Sequence, residues 1–177
     1  MKKKILVVVD MQNDFTIGPL GTVEAVEIIP KVVEKVESAI ADGVPVVFTR
    51  DTHDNNYLDT QEGRMLPVPH CIKETRGWAI IPELRPYVNE FNPSNVYDKH
   101  TFASGFLATV IAADGYEEVE LVGVRTDICM LCNAIVIKEM CPETVITVDA
   151  SCCAGVTPER HRIALEAMKA CQIIVKE

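Results

Sequence analysis

The chain of 177 residues is predicted to be an α/β protein: one three-layer α/β/α domain over residues 1–177, built on a mainly parallel sheet of about six strands. Three observations predict this. Short β-branched runs alternate with stretches of helical spacing, the βαβα order of a parallel sheet with helices on both faces. The first of those runs, Ile5 to Val9, is apolar at every position, as a strand buried on both faces must be. The length suits one sizeable core and is too short for two ordinary domains, and neither repeat nor linker divides it.

The elements follow in order. Residues 4–9 form a strand that stops at Asp10. Gln12, Asn13, Asp14 and Phe15 come next, and Gly18, Pro19 and Gly21 make a loop. Ile29, Val32, Val33, Val36 and Ile40 have helical spacing, so a helix is expected over 28–40, with Pro30 in its first turn and Gly43 at its stop. A second strand over 44–49 leads into Asp51. Residues 51–82 have little periodicity and are longer than a compact domain usually leaves irregular, which points to function. A short helix is expected over 81–91, a strand over 95–98 leading into Lys99, and a helix over 106–113 stopped by Gly115. A strand over 119–122 runs through Gly123 into the polar turn Arg125, Thr126 and Asp127. A helix begins at Cys129 and continues to about Met140. A fifth strand over 144–148 ends at Asp149. Thr157 caps the last helix, with Pro158 in its first position, and a strand over 173–175 closes the chain.

Composition narrows the function. At 48% hydrophobic and 24% charged the chain is an ordinary globular one. A net charge of −9 argues against nucleic acid, which needs clustered Lys and Arg, and the only basic run is Lys2, Lys3 and Lys4. No apolar segment is long enough for a bilayer, and the run before Asp10 is too short for a signal peptide. Seven cysteines are an odd number without the spacing of a disulfide framework, so reduced thiols in the cytoplasm are expected. Gly18-Pro-Leu-Gly21 is no phosphate loop, and no nucleotide cofactor is expected.

In an open α/β sheet the site lies beyond the carboxyl ends of the strands. Asp10, Asp51, Lys99, the Cys129 turn and Asp149 all stand at such ends. A thiol at a helix start is favoured as thiolate by the helix dipole, and the unpaired N–H groups there can hold an oxyanion. Asp10 can take the thiol proton and return it to a leaving amine, while Lys99 keeps Asp10 ionised. A second set, Asp51, His53, Glu62 and His70, offers carboxylates and imidazoles suited to Zn²⁺, Mn²⁺ or Fe²⁺. As single residues, each of these also suits an ordinary turn, surface or loop position; their joint placement at the ends of one sheet favours an enzyme.

Together these segments resemble the isochorismatase-like cysteine hydrolases, and within them the nicotinamidases. The resemblance is carried by Val7-Val-Val-Asp-Met-Gln-Asn-Asp-Phe15, Asp51-Thr-His53, Pro67-Val-Pro-His70, Lys99 with Phe102, and Gly123-Val-Arg-Thr-Asp-Ile-Cys129. It implies the isochorismatase-like hydrolase fold and a catalytic triad of Asp10, Lys99 and Cys129. It implies a cis peptide between Val124 and Arg125, and an oxyanion hole of the Arg125 and Cys129 backbone N–H groups. It implies a divalent metal, zinc first, on Asp51, His53, Glu62 and His70, binding the ring nitrogen of nicotinamide. Phe15, Phe102 and Arg125 would line the pocket. The implied reaction is nicotinamide to nicotinate and ammonia through a thioester, within NAD salvage, by a homo-oligomer (dimer or tetramer). Arg125 departs from the pattern, being bulkier than the usual residue there and able to face solvent or a substrate carboxylate. Pro67 stands where an aromatic ring is common. Two alternatives remain: a sibling hydrolase of another amide, a ureido compound or isochorismate, and a thiol-redox protein using Cys129 and Cys132.

Overall fold

The computed structural model of the chain describes residues 2–91 and 93–177. Six strands form one sheet: β1 (Lys4–Val9), β2 (Val46–Asp51), β3 (Val96–Lys99), β4 (Glu118–Val124), β5 (Val145–Ala154) and β6 (Ile174–Lys176). Their spatial order is β3-β2-β1-β4-β5-β6, and every pairing is parallel. The expected mainly parallel α/β domain is therefore an all-parallel one. The order reverses between β1 and β4, so the crevice of the fold opens at the carboxyl ends of those two strands. Asp10 follows one and the Cys129 turn follows the other.

Along β1 the side chains alternate between two cores. Ile5, Val7 and Val9 pack with Leu107, Ile111 and Met130 on one face. Leu6 and Val8 pack with Val32, Val36 and Phe48 on the other. This double burial explains why β1 reads as an unbroken apolar run.

Between β1 and β2 lie α1 (Asn13–Thr16), α2 (Val23–Glu27) and α3 (Ile29–Ala41). The first two are single turns without enough length to show a period, and sequence periodicity misses them. Thr22 caps α2 by accepting from the Ala25 N–H at 3.1 Å. The long segment after β2 contains a 3₁₀ turn (Tyr57–Asp59) and α4 (Gln61–Met65), whose Thr60 cap accepts from Gly63 N–H at 2.9 Å. The helix expected over 81–91 is only a 3₁₀ turn at Arg85–Tyr87. Pro82 and Pro86 lack the N–H groups a longer helix needs there.

On the other face, α5 (Gly105–Asp114) ends with Gly115 in the left-handed conformation at φ 66°. A π turn (Thr126–Met130) then leads into α6 (Leu131–Met140). α7 (Pro158–Ala170) starts at Thr157, which accepts from Arg160 N–H at 3.2 Å. β5 does not stop at Asp149 as expected but runs on to Ala154. Asp149 is therefore a mid-strand residue, ion-paired to Lys35 of α3 at 2.6 Å, and takes no part in the cluster at the strand ends. Among the described residues no helix is long and apolar enough to cross a membrane.

Candidate active site

Three parallel strands deliver the chemistry to one buried point. Asp10, immediately beyond β1, adopts φ 48°, a left-handed conformation that Asp tolerates better than most residues. The turn aims its carboxylate inward, where it is fully buried. Its Oδ1 accepts from Thr49 Oγ1 at 2.6 Å. Its Oδ2 lies 2.7 Å from Lys99 Nζ in an ion pair, although no hydrogen-bond donor is aligned on that oxygen. Lys99, the last residue of β3, is only 3% exposed. Its ammonium donates to Asp51 Oδ1 and to the Thr101 carbonyl, each at 3.1 Å, and lies 3.6 Å from Cys129 Sγ. Asp10, Lys99 and Cys129 thus stand together, as the sequence pattern anticipates, and Asp51 joins them.

The electrostatics follow from burial and the count of charges. Burial pushes the Cys129 thiol well above its ordinary range; Lys99 opposes that shift, while Asp10 and Asp51 add to it. The expectation of a dipole-stabilised thiolate at a helix start needs correction. Cys129 lies within the π turn rather than at the start of α6, and its burial opposes the thiolate. Burial and Asp51 also raise Asp10, against the pull of Lys99. Burial alone would lower Lys99, but Asp10, Cys129 and Asp51 hold its pKa well above the usual lysine value. Lys99 is thus the shared cation between two buried carboxyl groups, beside a thiol whose ionisation burial opposes.

Asp51 is shared between two sets. Its Oδ1 faces Lys99, while its Oδ2 lies 3.1 Å from His53 Nε2 and 3.6 Å from His70 Nε2. These three side chains are buried and bring one ligand atom each within 4.8 Å of one another. Burial would raise Asp51, but the two imidazoles and Lys99 hold it far below the usual carboxylate range. The His70 Nδ1 lies 2.8 Å from the Val68 carbonyl, which assigns that nitrogen the proton and turns the Nε2 lone pair toward Asp51. Either a proton on Nε2 or a cation can stand between His70 and Asp51, and three buried ligand atoms this close together fit a divalent metal. Glu62 stands further out, with Oε1 3.8 Å from His53 Nε2, at the exposed side of the set. Tyr57 is a wall and not a ligand: its ring lies 4.7 Å from His53 and 5.1 Å from His70, and its hydroxyl donates to the Leu66 carbonyl.

The remaining candidates surround this cluster. Phe15 is buried, with its ring 5.6 Å from that of His70. Phe102 is half exposed near the Lys99 end. The Val124–Arg125 peptide is cis. Arg125 does not face solvent; its guanidinium turns back to the 15–22 loop. Cys132 lies in the first turn of α6, and all seven cysteines are free.

Two groups of residues have a role that the sequence did not assign. Gln12, Asn13 and Asp14 fasten the long loop to the sheet. Gln12 donates to the Asp51 and Trp78 carbonyls, each at 2.8 Å, and accepts from Asp51 N–H at 2.7 Å. Asn13 donates to the Arg76 and Ala79 carbonyls, and Asp14 accepts from Cys71 N–H at 2.8 Å, beside His70. Asn133 of α6 donates to the carbonyls of Cys129 (2.7 Å) and Phe102 (3.3 Å) and accepts from Ser104 N–H (3.0 Å). It ties the thiol's backbone to the segment after Lys99. A cluster of polar side chains directly after a buried strand is the one signal for the first group; Asn133, alone in an apolar helix, gives a weaker one.

The family model of the isochorismatase domain matches residues 4–176. The chain is 34% identical to an uncharacterised isochorismatase family protein, PncA, of Bacillus subtilis, over 75% of this chain and 77% of that one. It is 26% identical to the nicotinamidase of Saccharomyces cerevisiae, over 97% and 98% of the two chains. Among solved structures, the pyrazinamidase of Pyrococcus horikoshii in complex with zinc superposes with a TM-score of 0.84 at 28% identity, covering 99% of each chain.

Proposed function

This chain belongs to the isochorismatase family, and from that premise we propose that it is an amidohydrolase that converts nicotinamide to nicotinate and ammonia through a thioester on Cys129. One observation carries the reading. Lys99 Nζ contacts Asp10, Asp51 and Cys129 at once, so nucleophile, base and candidate metal set form a single buried cluster.

The chemistry follows from the protonation states. Sγ attacks the carboxamide carbon as Asp10 takes the thiol proton, so the thiolate need not exist before substrate arrives. A base raised by burial holds that proton better than an ordinary carboxylate and can return it to the departing nitrogen. The N–H groups of Arg125 and Cys129 receive the oxyanion as the carbonyl opens. Asp10 then serves again as base for the water that cleaves the thioester. Lys99 remains charged throughout and keeps the two carboxylates compatible. Asp51, His53 and His70, with Glu62 outermost, would hold a divalent metal, zinc first, which supplies a Lewis-acidic anchor for the ring nitrogen. Phe15 and Phe102 are the apolar walls on either side of the ring. The exposed Met65, Phe91 and Phe106 suit a homo-oligomer, and seven free thiols suit the reducing cytoplasm.

The deciding test is ammonia release from nicotinamide by the purified protein beside Cys129→Ala, with metal content measured on the same samples. Release by wild type alone supports the reading. A wild type that spares nicotinamide but cleaves a ureido compound or isochorismate overturns the substrate and leaves the thiol chemistry. Full activity in Cys129→Ala overturns both.

A further inference from the structure

Arg125 is buried to 3% exposure at the end of β4, and its guanidinium crosses to the 15–22 loop. Nη2 donates to the carbonyls of Phe15, at 2.8 Å, and Leu20; Nη1 donates to Thr22 Oγ1 at 3.1 Å. The guanidinium carbon lies 5.9 Å from the centre of the Phe15 ring. The backbone of the same residue anchors the nucleophile turn: its carbonyl accepts from Ile128 and Met130 N–H at 3.1 and 3.0 Å. One residue therefore joins the turn bearing Cys129 to the segment bearing Phe15, whose ring packs against His70.

Taking a guanidinium out of water is costly unless its donors find acceptors. Here the acceptors are two carbonyls and a hydroxyl of one loop, so the arginine and the loop order each other. Rigid planar donors suit this better than a flexible ammonium. With both Nη atoms engaged by the loop, Arg125 also offers little to a substrate carboxylate.

We propose that Arg125 is a positioning and specificity-determining residue that holds the 15–22 loop, and through it the Phe15 ring, as a fixed wall of the substrate pocket, restricting the site to neutral carboxamides on a single small ring. The proposal rests on the amide-hydrolase reading above. The Arg125 side chain acts through Phe15 and not on the reacting atoms, and its substitution leaves the backbone N–H in place.

The test compares wild type, R125A, R125K, F15A and the R125A/F15A pair. Each is assayed on nicotinamide and on quinoline-3-carboxamide, and the amides of residues 16–22 are followed by hydrogen exchange. In R125A the KM for nicotinamide should rise about tenfold to a hundredfold, the loss of charged hydrogen bonds, while kcat changes by less than about threefold. The preference for the single ring should narrow about tenfold or more. R125K should recover part of the KM, and R125A should add little to F15A. Should R125A not fold, R125K carries the same comparison in milder form. An unchanged preference, a loss confined to kcat, or full additivity with F15A overturns the proposal. If wild type cleaves neither amide, the nicotinamide reading fails and exchange judges Arg125 alone. Faster exchange at 16–22 with β1 and β4 unaffected then upholds the loop-holding role, and unchanged exchange there overturns it.

Discussion

In the proposed reaction the Cys129 thiol, raised by burial, becomes nucleophilic by handing its proton to Asp10, and each residue of the cluster should fail in its own way. Cys129→Ala should abolish turnover, while Cys132→Ala, one turn away and outside the cluster, should keep rates within about threefold of wild type in steady-state assays. Equal loss in both variants, with a reversible disulfide between the two thiols, would favour the redox alternative. Lys99→Met should do more than slow the reaction. It leaves Asp10 and Asp51 buried without their shared cation, a defect on the order of 3–5 kcal/mol that urea melts would read. Asp10, Lys99 and Cys129 were legible in the sequence because each stands at a strand end. Arg125 was legible as an anomaly but not in its direction, since which way a long side chain turns depends on acceptors over a hundred residues away.

Two close approaches set the geometry of the elements. Gly123 of β4, at φ 118°, pairs with Val9 of β1, and a Cβ there would collide with the Val9 carbonyl. Gly123→Ala should therefore destabilise the fold by about 2 kcal/mol or more and separate Asp10 from the Cys129 turn; chemical denaturation beside residual activity measures both. On the face away from the cluster, Lys35 of α3 pairs with Asp149 of β5. Burial would raise Asp149, but Lys35 and Ser151 outweigh it and hold the carboxyl below its ordinary value. A carboxyl depressed by folding adds stability that is present above its unfolded pKa and lost as pH falls through the folded one. Asp149→Asn should cost about 1 kcal/mol at neutral pH. Its melting temperature should converge on that of wild type as pH falls below about 4; a constant gap would refute the linkage. The strands of the central sheet were legible from apolar runs because burial on both faces leaves no other composition. α1, α2 and α4 were not, because single turns are held by tertiary contacts and, in α2 and α4, by Thr caps rather than by a repeating stripe.

For the whole molecule, the shared carboxylate of Asp51 couples the candidate metal set to the catalytic cluster and to the long loop that carries His53 and His70. A divalent ion should therefore stabilise the fold and not merely assist turnover. Zinc added to chelator-treated protein at about a hundred times its dissociation constant should raise stability by about 2.7 kcal/mol. The rise should vanish in His70→Ala, and calorimetry reads it without substrate. No shift on adding zinc, manganese or iron would remove the metal from the reading.

The sequence by itself determined the all-important local facts: buried parallel strands, the helices long enough to show a stripe, and the acids, lysine and thiol that follow the strands. Periodicity and residue chemistry are local, so they survive without coordinates. Only the tertiary structure decided which strand ends meet. Asp149, a strand-end candidate by sequence, lies inside a longer β5, while Glu62 reaches only the rim of the His53 and His70 pair. Tertiary structure also gave Gln12 and Asn133 their partners, because a buried amide takes its meaning from the backbone groups it satisfies. And it set burial against the expected Cys129 thiolate, since desolvation is a property of the packed interior and is absent from any single stretch of chain.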